Sequence, residues 1–113
     1  MPLDIQQNEV SPGKVAITLA GKIMMGSDSE AIVPMVEELL NRGKRTIIFD
    51  LSGVGAIDST GIGRFIASYN KIIAAGGEMR MAGAIGHIFQ SFHVSLLDQV
   101  FAFYPSVEDA SRD

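Results

Sequence analysis

Eight consecutive residues, Ala56-Ile57-Asp58-Ser59-Thr60-Gly61-Ile62-Gly63, gather the side chains of this chain best suited to chemistry. One acid, two adjacent hydroxyls and two glycines crowd the point where an apolar run gives way to helical spacing. Four kinds of chemistry fit such a corner: helix capping, a nucleophile, a phosphate cradle and a modification site. Capping is the simplest, because a Ser, Thr or Asp oxygen accepts a hydrogen bond from one of the unpaired N–H groups that open a helix.

The nucleophile reading takes Ser59-Thr60-Gly61 as the back half of a Gly-x-Ser-x-Gly elbow. The front half fails, since Ile57 stands where the first glycine is required. A triad would also need a histidine base. The two histidines, His87 and His93, lie six residues apart in one segment and would point to different faces of a helix.

The phosphate-cradle reading fares no better. A dinucleotide fingerprint beginning at Gly53 needs a small residue at position 58, where Asp58 stands, and no Gly-Lys-Ser/Thr occurs. The modification reading is different in kind. A phosphate on Ser59 would lie at a helix N-terminus, where free N–H groups and the macrodipole favour anions. The fold would tolerate the group, while the roughly two added charges beside Asp58 would repel a partner docked there.

The elements that must hold this corner follow from periodicity. Residues 4–10 and Val15–Ala20 read as the strands of a hairpin around Pro12-Gly13, the second ending at Gly21. Ser27 and Glu30 have capping-box spacing, and Ile32, Met35, Val36, Leu39 and Leu40 continue a helix to about Arg42. Pro34 marks the start of its regular part, and Gly43 its stop. Arg45–Leu51 is a near-continuous apolar run, the pattern of a strand buried on both faces.

Ser52-Gly53-Val54-Gly55 reads as a loop. A helix from Gly61 to Gly76-Gly77 follows, with Ile62, Phe65, Ile66 and Tyr69 on its core stripe. Then come a strand at Glu78–Ala82, a helix over Ile85–Val94, a strand at Gln99–Phe103 and a last helix after Pro105. Strands alternating with helices predict an α/β fold with a parallel or mixed sheet.

Composition bounds the rest. At 113 residues the chain makes one domain, and 47% hydrophobic with 19% charged residues predicts an ordinary globule. The formal net charge of -4 and the single short basic cluster Arg42-Gly-Lys-Arg45 argue against nucleic acid. The chain has no cysteine, which removes disulfides and thiolate metal sites and suits a cytoplasmic address. No signal sequence opens it and no apolar run is long enough for a bilayer, so no direct membrane contact is expected. No cofactor or metal is implied, and nothing suggests an obligate dimer.

Ile47-Ile-Phe-Asp-Leu-Ser-Gly-Val54, leading into Ile57–Gly63, resembles the corresponding stretch of STAS-domain anti-sigma factor antagonists. The likeness continues through Gly76–Met81, the Ile85…Phe89…Leu96-Leu97…Val100-Phe101 pattern and Ser106–Ala110. It implies a single STAS domain over residues 1–113, with a small mixed sheet of about five strands and about four helices packed against it.

It also implies a non-enzymatic role. The unphosphorylated form would bind a kinase-type anti-sigma factor, which phosphorylates Ser59, and a protein serine phosphatase would reverse this. Thr60 is the neighbouring hydroxyl. The partner surface would comprise Lys22, Met24, Met25, Asp58, Ser59, Thr60, Gly61, Ile62, Gly63 and Arg64. Such a protein would act in bacterial transcription regulation by partner switching. One departure stands out: Met24 occupies a place where the family often carries an acid or amide. Met24 and Met25 either fill apolar surface or form a partner surface of altered specificity. The alternative role is that of a STAS adaptor or structural module in a larger signalling or transport complex, with Ser59 only capping.

Overall fold

A computed structural model describes residues 3–112, apart from the side chain of Ser27. The strands are β1 (Asp4–Ser11), β2 (Lys14–Ile23), β3 (Thr46–Ile57), β4 (Glu78–Ala82) and β5 (Ala102–Tyr104). The helices are α1 (Ser27–Glu30), α2 (Ile32–Asn41), α3 (Ser59–Ala74), α4 (Gly86–Val94) and α5 (Val107–Ser111), with a 3-10 turn at Leu97–Gln99. The sheet runs β1-β2-β3-β4-β5, with β1 antiparallel to β2 and every other neighbour parallel. This is the mixed α/β sheet that the alternating pattern predicts.

Helices α2, α3 and α4 cover one face, over a core that includes Ile17, Leu19, Ile47, Phe49, Leu51 and Met81. The short α5 covers the other, where Ala110 meets Ala16, Ile48 and Ala82. That second cover is why β3 reads as continuously apolar: Ile47, Ile48 and Phe49 are all fully buried, on opposite faces. Aromatic rings tie the main core together. Phe65 of α3 sits edge-on to Phe49 at 5.0 Å and to Phe92 of α4 at 5.6 Å. These contacts fix how α3 lies on the sheet and so where its N-terminus emerges.

Helix α2 stops as predicted. The Gly43 amide donates to Leu40 O and the Lys44 amide to Leu39 O, the paired bonds of a Schellman motif, with Gly43 at φ +85°. At the other end the helix is broken at Ala31, so Pro34 is the third residue of α2, where its missing N–H has no intrahelical partner to lose. The Ser27 side chain of the predicted capping box lies outside the described residues. Gly26 occupies the cap position of α1.

Four boundaries differ from the sequence reading. Strand β2 passes through Gly21 to Ile23, and Ser52–Gly55 belongs to β3 rather than to a loop. The two extensions pair with each other, Ala20 with Gly53, Gly21 with Val54 and Ile23 with Ile57, across two register shifts. Glycine and serine lower β propensity locally, but a neighbouring strand supplies the ladder that propensity ignores. The last strand begins at Ala102, because residues 97–99 form a 3-10 turn entered through Leu96 at φ +62° and the Phe101 amide closes onto Leu97 O. Helix α3 begins at Ser59, two residues before Gly61.

Candidate functional site

The C-terminal ends of β2 and β3 lie side by side, and each feeds one half of the site. β2 delivers Lys22 and the turn Met24–Gly26, while β3 delivers Asp58 and the start of α3. Asp58 is the helix cap: its Oδ1 accepts from the Gly61 amide at 2.8 Å. Its Oδ2 accepts from the Met25 amide at 3.0 Å. One carboxylate therefore holds both halves together. These backbone N–H bonds, Gly61 first and Met25 second, hold its pKa below the ordinary aspartate value, so it is ionised at neutral pH.

Ser59 follows as the first helical residue. It is exposed, and its hydroxyl makes no hydrogen bond among the described residues. This corrects the reading in which Ser59 itself caps the helix, because Asp58 already fills that position. Thr60 is half-buried.

Gly61 is buried because α3 begins almost against β2. A Cβ there would collide with the Ile23 carbonyl oxygen and lie 2.8 Å from Ile57 Cγ1. The Asp58 amide donates to the same Ile23 carbonyl at 3.3 Å. Ile62 packs half-buried against the core, Gly63 is exposed, and Arg64 is half-buried with its Nε donating to Ser29 Oγ at 3.2 Å. Ser29 in turn donates to Met24 O at 2.7 Å. Sequence reasoning missed Ser29, although its place in Ser27-Asp-Ser-Glu30 beside a short turn is the kind of signal that a serine–backbone bond leaves.

The two methionines are held in the open by this bonding. Met24 is 39% and Met25 79% exposed, so they do not serve as apolar filler. Lys22 is exposed as well. The structure thus brings together Lys22, Met24, Met25, Asp58, Ser59, Thr60, Gly63 and Arg64 at one end of the sheet, with Gly61 and Ile62 turned inward. Ile66 departs from its predicted place in the core and is 41% exposed, because the buried stripe of α3 runs through Gly61, Phe65, Ser68 and Ile72.

Neither histidine serves Ser59. His87 Nε2 lies 2.8 Å from the Gly55 carbonyl oxygen, and His93 Nδ1 lies 2.7 Å from Asp98 Oδ2. Among the described residues no cluster of His, Asp or Glu could hold a metal ion, and no helix is long and apolar enough to cross a membrane.

With this geometry in place, the family is defined. A family model of the STAS domain matches residues 6–110, and the chain belongs to the STAS-domain family. Its fold is similar to that of an anti-sigma factor antagonist from Mycobacterium paratuberculosis, at a TM-score of 0.82 and 23% identity, over 96% of this chain and 90% of that one. It is also similar to the Bacillus cell fate determinant SpoIIAA in its phosphorylated form, at 0.74 and 21%, over 93% and 95% of the two chains. A sulfate transporter family protein from Wolinella succinogenes has the same fold at 0.74 and 12%, over 91% and 85%. At these identities the likeness is one of fold. Comparison of the sequence with curated proteins finds no match.

Proposed function

We propose that this chain is an anti-sigma factor antagonist whose unphosphorylated form binds a serine kinase-type anti-sigma factor. Phosphorylation of Ser59 switches it off and a protein serine phosphatase restores it. The observation that carries this reading is the division of labour between neighbours: Asp58 caps α3, which leaves the Ser59 hydroxyl exposed and free of structural duty. A phosphate there would face the free N–H groups of the first turn, so the helix would survive it. It would also place roughly two negative charges beside an ionised Asp58, on the surface a partner must desolvate. Thr60, half-buried, is the poorer acceptor. The partner surface is the exposed set from Lys22, Met24, Met25 and Asp58 to Arg64, in a protein acting in the cytoplasm as a monomer and without enzymatic activity of its own.

The test is binding of the cognate kinase to Ser59→Asp and Ser59→Ala variants. The aspartate should weaken the complex and the alanine should bind without regulation. Binding indifferent to both would end this account. A second reading is supported by the similarity to the transporter-family protein and by Met24: a STAS module that docks within a larger assembly without being phosphorylated. It predicts an unmodified Ser59 and a partner that is not a kinase.

A further inference from the structure

Strand β3 outruns its neighbour. Its last pairing with β4 joins Asp50 to Ala82, yet β3 continues to Ile57. Gly83, at φ +73°, turns the chain away from β3 at once, and Gly86, at φ +57°, opens α4. Both angles are left-handed ones that glycine adopts without steric cost. The space that β4 leaves beside β3 is a half-enclosed cavity of about 310 Å³. That is room for about ten non-hydrogen atoms, each given the volume of a liquid water, at the lower end of small-molecule sites.

The lining decides which chemistry the cavity accepts. Leu51 and Val54 of β3 and Ile88 of α4 form buried apolar walls. The polar side chains beside them are already engaged. Ser52 donates its amide and its hydroxyl to Asp50 Oδ1 at 3.0 and 2.7 Å, and His87 Nε2 lies against the Gly55 carbonyl oxygen. Among the described residues no Asp, Glu, Lys or Arg lines the cavity. A charged ligand would lose its water here without gaining a counter-charge. An uncharged apolar one gains by leaving water.

Ile85 supplies a second observation. It holds the cap position of α4 with extended backbone, where a Ser, Thr, Asp or Asn oxygen would satisfy a first-turn amide, and it makes no cap bond. The fold alone would favour one of those residues. Instead a large apolar side chain stands 76% exposed at the rim of the cavity. It adds little to the core from there, but it would cover a molecule seated against Leu51, Val54 and Ile88. We propose that this cavity binds a small, uncharged, mainly apolar molecule of about ten non-hydrogen atoms, with Ile85 as the side chain that closes over it. The site uses none of the groups around Ser59, so either site can exist without the other.

The experiment titrates the isotope-labelled full chain with indole, an uncharged bicyclic ring of fitting size, and follows the backbone amides by NMR. Benzoate, similar in size but anionic, is the comparison. The expected result is saturable shifts confined to residues 51–54 and 83–88, with a Kd of about 1 mM or tighter. Benzoate should bind at least about tenfold more weakly. Ile85→Asp should weaken indole binding at least about tenfold. Its unfolding midpoint should equal the parent's or rise, because aspartate caps α4. Should that midpoint fall instead, Ile85→Ala decides, with indole binding expected to weaken about fivefold or more. Shifts that spread without saturation to the exposed Val94, Leu96 and Val100 would mean adsorption to any apolar surface, and would overturn the proposal. So would benzoate binding as tightly as indole, or parent-like affinity in a folded Ile85 variant. No shift with indole at about ten times that concentration would overturn it as well.

Discussion

Protonating Asp58 weakens two contacts at once, the cap of α3 and the tether of the Met24–Gly26 turn. Its folded-state pKa is depressed by the Gly61 and Met25 amides, and the unfolded chain lacks both. Its contribution to stability is therefore complete above the ordinary value of 3.8 and is lost as pH falls through the lower folded value. Asp58→Asn keeps a capping oxygen but cannot titrate. Urea unfolding followed from neutral pH downward should show the parent losing stability more steeply below about pH 4 than the variant does. Parallel curves would mean that the two bonds do not favour the charged form. Ser59→Ala, by contrast, should leave stability within about 0.5 kcal/mol of the parent, since the hydroxyl holds nothing.

The glycines of α3 make a paired prediction at the level of the element. Gly61→Ala forces a methyl group into the Ile23 carbonyl, so the helix must shift away from β2, at a loss of about 3 kcal/mol or more. Gly63→Ala meets open space and should stabilise the protein by about 0.5–1 kcal/mol through helix propensity. Denaturant midpoints for the two variants moving in opposite directions would support this account, and a shared direction would contradict it. Element boundaries show where sequence stops being informative. Gly43 and Glu78–Ala82 were legible because their signals are local: a helix stop and a short alternation. The ends of β2 and β3 were not, because Gly21 and Ser52-Gly53 read as breakers until the two strands are seen to pair with each other. Ile66 was misplaced for a related reason. Its spacing fits an apolar stripe, and only the direction of the sheet shows that Phe65 and Ile72 own the core side.

For the molecule as a whole, one ring anchors the site to the fold. Phe65→Ala would remove the edge contacts to Phe49 and Phe92 and leave a core cavity, for a predicted loss of about 3–5 kcal/mol. On the opposite face, Arg80 Nη1 donates to Ala110 O at 2.7 Å and Lys14 Nζ to Ser111 O at 2.9 Å, holding the end of α5 over Ile48. Arg80→Leu should therefore speed hydrogen exchange in α5 while α3 remains protected. Equal loosening of both helices would contradict that independence. The layered α/β architecture was readable from alternation alone, and the Asp-Ser-Thr-Gly corner from its residue types. The Asp58–Met25 and Arg64–Ser29 bonds were not, since they join residues 33 and 35 positions apart. The central claim is that Ser59 is a switch, and peptide mapping by mass spectrometry of the protein purified from its native cells tests it most directly. The account predicts one phosphate in the segment Val54–Arg64, on Ser59 and absent from Ser59→Ala. An unmodified Ser59 under every growth condition would contradict it.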